Sequence, residues 1–561
     1  MPVPLRPIPT WFFFALPIAF LALFFLFPLA AILRLSFADG WAGVAAILGA
    51  STYWRVLGFT IWQATLSTAL TVALGLPGAY VFARYEFPGK ALLRAVAGVP
   101  FVMPTVVVAA AANALIGPRG LLNEAAQGAF DLAQPPIRLQ GTLAIVLLAH
   151  AFYNYTVVLR FVGGFWANLD PRIREAATML GASPWRVFRT ITLPLLLPPL
   201  GAAALLIFIL CFTSFGVIVI LGGPQFATLE VEIYRQTAQL LRLDRAATLA
   251  LIQIGCTLAL TLAYGRLAAR SAVPLDLLPR SAVARPPRTW LEHTLVVANG
   301  ALILALLGGP LLALALRSLF AVGGDGTPTL QYYAALNANR TGSAFFVPPT
   351  TAIANSLRIA GAATVIALAV GVPAAYLLAR GGRPAGTWMH TILDALFTLP
   401  LGTSAVTLGL GYLVILTSPL LTPLRSVGWL IPVLHALVGL PFVVRVLLPT
   451  LRARTARLRE AAALLGASPW RAWRDVELPR LTPALITAAA FAFTVSLGEF
   501  GATLLLARPD TPTVPVLIFR FLGQPGAFNY GQAMALSTIL MLLTATVFVL
   551  LERVRPPGGE F

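Results

Sequence analysis

The chain has 561 residues, 58% hydrophobic and only 11% charged, with a mean hydropathy of +0.85, which is more apolar surface than a water-soluble fold of this length can bury. Its net charge of +19 does not describe a nucleic-acid partner, because the basic residues sit in short clusters between apolar runs rather than in one patch. Lys90 is the single lysine and Ala91 follows it, so the Gly-Lys-Ser/Thr end of a phosphate-binding loop is excluded; Cys211 and Cys256 lie within apolar runs, lack metal-ligand spacing and read as packing residues.

A helix needs about 20 mainly apolar residues to cross a bilayer. On that criterion the sequence predicts six spans near Trp11–Leu33, Val56–Ala83, Leu92–Ile116, Gly141–Gly163, Leu196–Leu221 and Ala246–Leu267. The first is longer than a signal-peptide core and is flanked only by Arg6, so it is expected as an uncleaved helix. Residues 270–290 are rich in Pro and Arg and read as a cytoplasmic linker. Six further spans are predicted near Leu291–Leu316, Ile353–Ala379, Met389–Thr417, Gly428–Pro449, Leu481–Ala507 and Gly531–Leu551. Lys and Arg concentrate in alternate connections, including Arg84 to Arg94, Arg172 to Arg189 and Arg452 to Arg480, which places these and both termini in the cytoplasm.

An internal repeat sets the architecture. Glu175-Ala-Ala-Thr-Met-Leu-Gly181-Ala-Ser-Pro-Trp185-Arg186 recurs as Glu460-Ala-Ala-Ala-Leu-Leu-Gly466-Ala-Ser-Pro-Trp470-Arg471. The same displacement along the chain relates His150 to His435, Pro194 to Pro479 and Phe215-Gly216 to Phe500-Gly501; Gly75-Leu-Pro77 matches Gly371-Val-Pro373 at a slightly longer one. An even number of spans separates the copies, so the expected fold is an all-α membrane protein of about 12 transmembrane helices in two parallel-repeat six-helix halves, residues 1–269 and 291–561.

Each repeated segment falls in an inner loop between the fourth and fifth helices of its half (170–194 and 452–479), where lipid does not explain its sequence. Glu175 to Leu180 reads as a short helix, Gly181 as its stop, and Ser183-Pro184 as the N-cap and first position of the next helix. This Glu-Ala-Ala run, its glycine and the following Ile191-Thr-Leu193-Pro194 resemble the EAA signature of ABC importer permeases; the second copy ends Val476-Glu-Leu478-Pro479. The resemblance implies that Glu175, Ala176, Ala177 and Gly181, with Glu460, Ala461, Ala462 and Gly466, couple to two ATP-binding cassette subunits on the cytoplasmic side. It further implies an extracytoplasmic substrate-binding protein, a location in the inner (plasma) membrane among lipid, and no cofactor, metal or catalytic residue on this chain.

The segment from Gly222 to Gln236 resembles the corresponding stretch of ferric-iron and thiamine permeases, whereas its counterpart Arg508 to Pro515 is less similar. Ferric iron is the first cargo this suggests and thiamine the second, with another small solute delivered by a binding protein as a further alternative. Glu499, near the outer end of the eleventh span and matched by Ser214, is a candidate pathway residue for a cation or else a structural pair. His150 and His435 are expected to satisfy interhelical hydrogen bonds rather than bind metal. An ion-coupled secondary transporter would share the parallel duplication but should carry more buried acids and has no use for the paired loop motif; a membrane enzyme would need a polar catalytic cluster that the sequence lacks.

Overall fold

A computed structural model describes residues 10–271, 284–323, 326–339, 346–379, 388–417, 428–452 and 461–554. Glu460 and linker residues 272–283 lie outside them. Among the described residues the fold is helical, which is one of the two ways, with the closed barrel, to satisfy every backbone polar group in lipid. Eleven helices among the described residues are long and apolar enough to cross a membrane, twelve when one bent pair counts as a single span. They are α1 (Ala15–Ser36), α2 (Ser51–Arg84), α3 (Thr105–Phe130), α4 (Leu143–Ala167), α5 (Pro184–Phe212), α6 (Leu243–Leu267), α7 (Trp290–Leu319) and α8 (Pro349–Ala379). The bent pair is α9 (Ile392–Pro400 with Ala405–Leu416), and α10 (Leu430–Arg452), α11 (Pro469–Gly498) and α12 (Ala527–Leu550) complete the set.

Four spans expected to be continuous are broken. The third divides into Lys90–Gly98, a 3-10 turn at Val99–Val102 and a helix beginning at Thr105. Pro100 and Pro104 supply no N–H, and Met103 is extended as a residue before proline prefers. The ninth turns through 90° between Pro400 and Ala405. The fifth stops at Phe212 and the eleventh at Gly498; helix resumes only after Ser214-Phe215 and Glu499-Phe500. The four breaks thus fall at corresponding places in the two halves.

Within each half the second and fourth spans cross tightly at a glycine. A Cβ on Gly75 would stand 2.7 Å from Val158 Cβ, and one on Gly371 would stand 2.5 Å from Val443 Cγ1. Between the halves, the first span of each is exchanged. Phe20, Leu21 and Phe25 of α1 belong to the same core as Ala367 of α8 and Leu437 of α10, and the Tyr412 hydroxyl of α9 donates to the Phe24 carbonyl at 2.9 Å. Reciprocally, Asn299 of α7 donates to the Tyr155 hydroxyl of α4 at 3.3 Å. The largest core draws residues from both halves, among them Val106, Phe215, Val406 and Phe500.

Because the helix crossing leaves no room for a methyl group, Gly75→Leu and Gly371→Leu should each destabilise the folded chain by roughly 1–3 kcal/mol, the usual cost of overpacking. Thermal unfolding in detergent should show a lower midpoint for both, and an unchanged midpoint would show that the crossing relaxes freely.

Candidate functional site

Two regions combine duplication with geometry that lipid packing does not require. The first is the loop between α4 and α5, with its copy between α10 and α11. Asp170 caps the helix Pro171–Met179, its carboxylate accepting from Arg172 N at 2.8 Å. The helix ends in a left-handed turn at Gly181 (φ +83°), with Gly181 N donating to Thr178 O at 2.9 Å and Ala182 N to Ala177 O at 3.1 Å. The copy does the same: Gly466 has φ +81°, Gly466 N donates to Ala463 O at 3.0 Å, and Ala467 N donates to Ala462 O at 2.9 Å. Nothing crowds a Cβ at either glycine, so backbone conformation alone demands them. Ser183 and Ser468 then cap the next helices, each hydroxyl accepting from a backbone N–H three residues on at 3.4 Å.

This turn thrusts a pair of apolar side chains outward in each half. Met179 and Leu180 are 88% and 89% exposed, and Leu464 and Leu465 are both 89% exposed. Trp185 and Trp470 stand beside them, stacked on Phe188 at 5.7 Å and on Trp473 at 4.9 Å. Glu175, Ala176, Ala461 and Gly466 are exposed, while Ala177 and Ala462 are half-buried. Six spans, α5 to α10, separate the two projections, so they emerge on one side. Exposed apolar knobs on a polar loop are costly unless a partner covers them.

The second region is where α5 and α11 break. A break exposes backbone groups that lipid cannot satisfy, and in each half a histidine from the fourth span is hydrogen-bonded to side chains at the break. His150 Nδ1 lies 2.8 Å from Ser67 Oγ and its Nε2 lies 2.9 Å from Ser214 Oγ. Gln63 of α2 donates to the Cys211 carbonyl at 2.9 Å. In the second half His435 Nδ1 lies 2.7 Å from Ser496 Oγ, and its Nε2 lies 2.8 Å from Thr503 Oγ1 and 3.1 Å from Glu499 Oε2. The Glu499 carboxylate also accepts from Ala502 N at 2.8 Å, Thr503 N at 3.0 Å and the Thr503 hydroxyl, which caps the resumed helix. Glu499 and Ser214 are therefore buried, hydrogen-bonded groups at matched breaks, with Phe215 stacked on Phe500 at 5.5 Å immediately beyond them.

The short helices that follow are tied back in the same manner. Leu229 N donates to Thr60 Oγ1, and Val514 N donates to Ser356 Oγ, both at 2.9 Å. Glu230, buried on the first of these helices, accepts from Gln253 of α6 and, at 2.5 Å, from Ser404 at the bend of α9, which joins the halves. Sequence reasoning misses this link and the paired apolar knobs. The knobs sit inside the repeated motif and are legible as a duplicated apolar pair; the Glu230 link joins residues with no spacing to announce it.

Comparison with known proteins agrees with this duplicated architecture. Residues 72–272 and 367–556 match the family described as binding-protein-dependent transport system inner membrane component. The chain is 30% identical to the thiamine transport system permease protein ThiP of Escherichia coli over 528 residues, 93% of this chain and 91% of that one. It is 30% identical to ThiP of Salmonella typhimurium (91% and 90% covered) and 28% identical to ThiP of Brucella abortus (95% and 94% covered). The chain therefore belongs to the binding-protein-dependent inner membrane components, as a multi-pass permease of an ABC importer and a transport subunit rather than an enzyme.

Proposed function

We propose that this permease imports thiamine by ATP-driven alternating access, in place of the ferric iron that the sequence first suggests. The observation that carries the cargo is similarity over nine-tenths of the chain to permeases named for thiamine transport; none of these relatives is named for iron. Membership in this family implies an ATPase and a substrate-binding protein as partners.

The two projecting loops support the coupling mechanism. Glu175, Ala176, Ala177 and Gly181 form one docking element, and Ala461, Ala462 and Gly466, with Glu460 outside the described residues, form the other. Each engages one of two ATPase subunits in the cytoplasm, where both chain termini also lie. Met179-Leu180 and Leu464-Leu465 supply the apolar contact, and the adjoining carboxylates supply charge-assisted hydrogen bonds. Because each docking helix runs through one glycine turn into a serine-capped helix that continues as α5 or α11, a push on it moves that span as a body. When the ATPase pair closes, the halves rock against each other across the central pathway and the outer side opens. Residues 270–290 bridge the halves on the cytoplasmic face.

Glu499 acts in this scheme as the anchor of the α11 break, with Ser214 its counterpart in α5, rather than as an attractor of cations. All the hydrogen-bond capacity the structure assigns to its carboxylate is directed at His435, Thr503 and the helix it caps.

Reconstitution of the permease with its ATPase and binding protein should give ATP-dependent uptake of labelled thiamine; uptake of ferric iron in its place would reject the cargo. In the same vesicles the double variant Glu175→Arg, Glu460→Arg should lose at least about tenfold of uptake at normal expression, since like charge at two docking contacts costs well over the ~1.4 kcal/mol that a factor of ten represents. Glu499→Gln places an amide against donors that need an acceptor, at a cost of about 1–3 kcal/mol. It should lower the thermal midpoint and the uptake rate while leaving half-saturation by loaded binding protein unchanged. A raised half-saturation at wild-type stability would restore the charge-steering role.

A further inference from the structure

Four aromatic rings form a ladder across the boundary between the halves. Tyr234 meets Phe215 at 5.2 Å and 58°, Phe215 meets Phe500 at 5.5 Å and 25°, and Phe500 meets Phe519 at 5.3 Å and 60°. The order tilted, stacked, tilted reads the same from either end. Its members are pairs of the internal repeat, because Phe215 and Tyr234 precede Phe500 and Phe519 by the same displacement that separates the two Glu-Ala-Ala segments.

That correspondence fixes where the ladder sits. In two halves related by a two-fold axis, a residue can touch its own equivalent only if both lie close to the axis. Phe215 and Phe500 do touch, so the axis passes between their rings. Halves that tilt against each other across this axis pass cargo along it, which places the central pair in the pathway. The inner rings are 6% and 3% exposed, so they close it, whereas Tyr234 and Phe519 are half-buried on either side. Both inner rings stand on non-helical backbone, which the membrane interior tolerates only inside protein or along a cavity. The neighbouring residues Ser214 and Glu499 are pinned by His150 and His435, so each ring is carried by its own half.

We propose that this ladder is the gate of the transport pathway, and that its ring faces, once parted, hold a flat cationic aromatic cargo in transit. The proposal rests on the alternating-access reading given above. Ring faces attract a delocalised cation and stack on a planar heterocycle, and neither requires a carboxylate in the pathway. The two ends differ by one hydroxyl, on Tyr234, which gives the otherwise symmetric ladder a polar side.

The test uses vesicles containing the complete complex of permease, ATPase and binding protein. Without ATP, trapped choline should leak several-fold faster through Phe215→Ala, Phe500→Ala than through the wild type. If that pair does not assemble, single Phe500→Ala decides the same point. A sealed variant with intact ATPase activity overturns the gate. For cargo recognition, Phe519→Leu should lower the thiamine transported per ATP by about tenfold, the equivalent of ~1.4 kcal/mol for one ring–cation contact, while Phe519→Tyr, which copies Tyr234, stays near wild type. Equal transport by the Leu and Tyr variants overturns the ring-face site. If the wild type transports no thiamine but the alanine variant leaks, the cargo assignment falls and the gate stands.

Discussion

Breaking a helix inside a bilayer is the constraint from which the rest of this structure follows. Each backbone group released at a break costs several kcal/mol in lipid, so a break persists only where side chains supply the missing partners. The fifth span of each half is interrupted at the same point, and in each half a buried histidine from the fourth span holds the interruption. The first half completes the arrangement with Ser214 and Gln63; the second uses Glu499 and Thr503. These polar groups sit where the chain leaves helix, between Phe212 and Gly216 and between Gly498 and Gly501, the segments that carry Phe215 and Phe500.

Duplication explains why such breaks come in pairs, and drift between the copies shows which features each break needs. Thr60 and Ser356 differ by a methyl group yet accept the same helix-start N–H at the same distance. A hydroxyl is therefore required there and its carrier is not. Ser214 and Glu499 differ in charge, yet both are buried and hydrogen-bonded to a histidine. Exchange of α1 and α7 between the halves adds a further constraint, because each half encloses part of the other's core and the two cannot simply separate. Motion is thereby limited to rocking and sliding about the shared boundary.

Force must enter this assembly from outside the lipid. The paired projections suit the proposed coupling because they lead through serine-capped helices into α5 and α11 and are apolar where they are exposed. Met179, Leu180, Leu464 and Leu465 offer exposed apolar area for the proposed contact, and each helix ends in a glycine turn that leads into the next span. A capped turn feeding directly into the span that bears the broken segment connects the docking surface to the aromatic ladder through one element in each half.

The sequence alone determined the apolar solvent, the spans, the duplication and the paired loops. Hydropathy over about 20 residues follows from bilayer thickness, and Glu175 to Arg186 and Glu460 to Arg471 are local signals whose caps and turns form from adjacent residues. Ser183-Pro184 and Gly181 took the positions their chemistry predicts, because helix ends are decided within a few residues. Tertiary structure alone decided where spans break and what the breaks bring together. Apolar periodicity cannot distinguish a continuous helix from one interrupted beside a buried histidine, so Leu196–Leu221 and Leu481–Ala507 each read as one span. The role of Glu499 likewise depends on His435, which lies on a different span, and the ladder depends on Phe215 and Phe500, from opposite halves of the chain, meeting on an axis. Such contacts are made by packing between helices and leave only their equal displacement in the sequence.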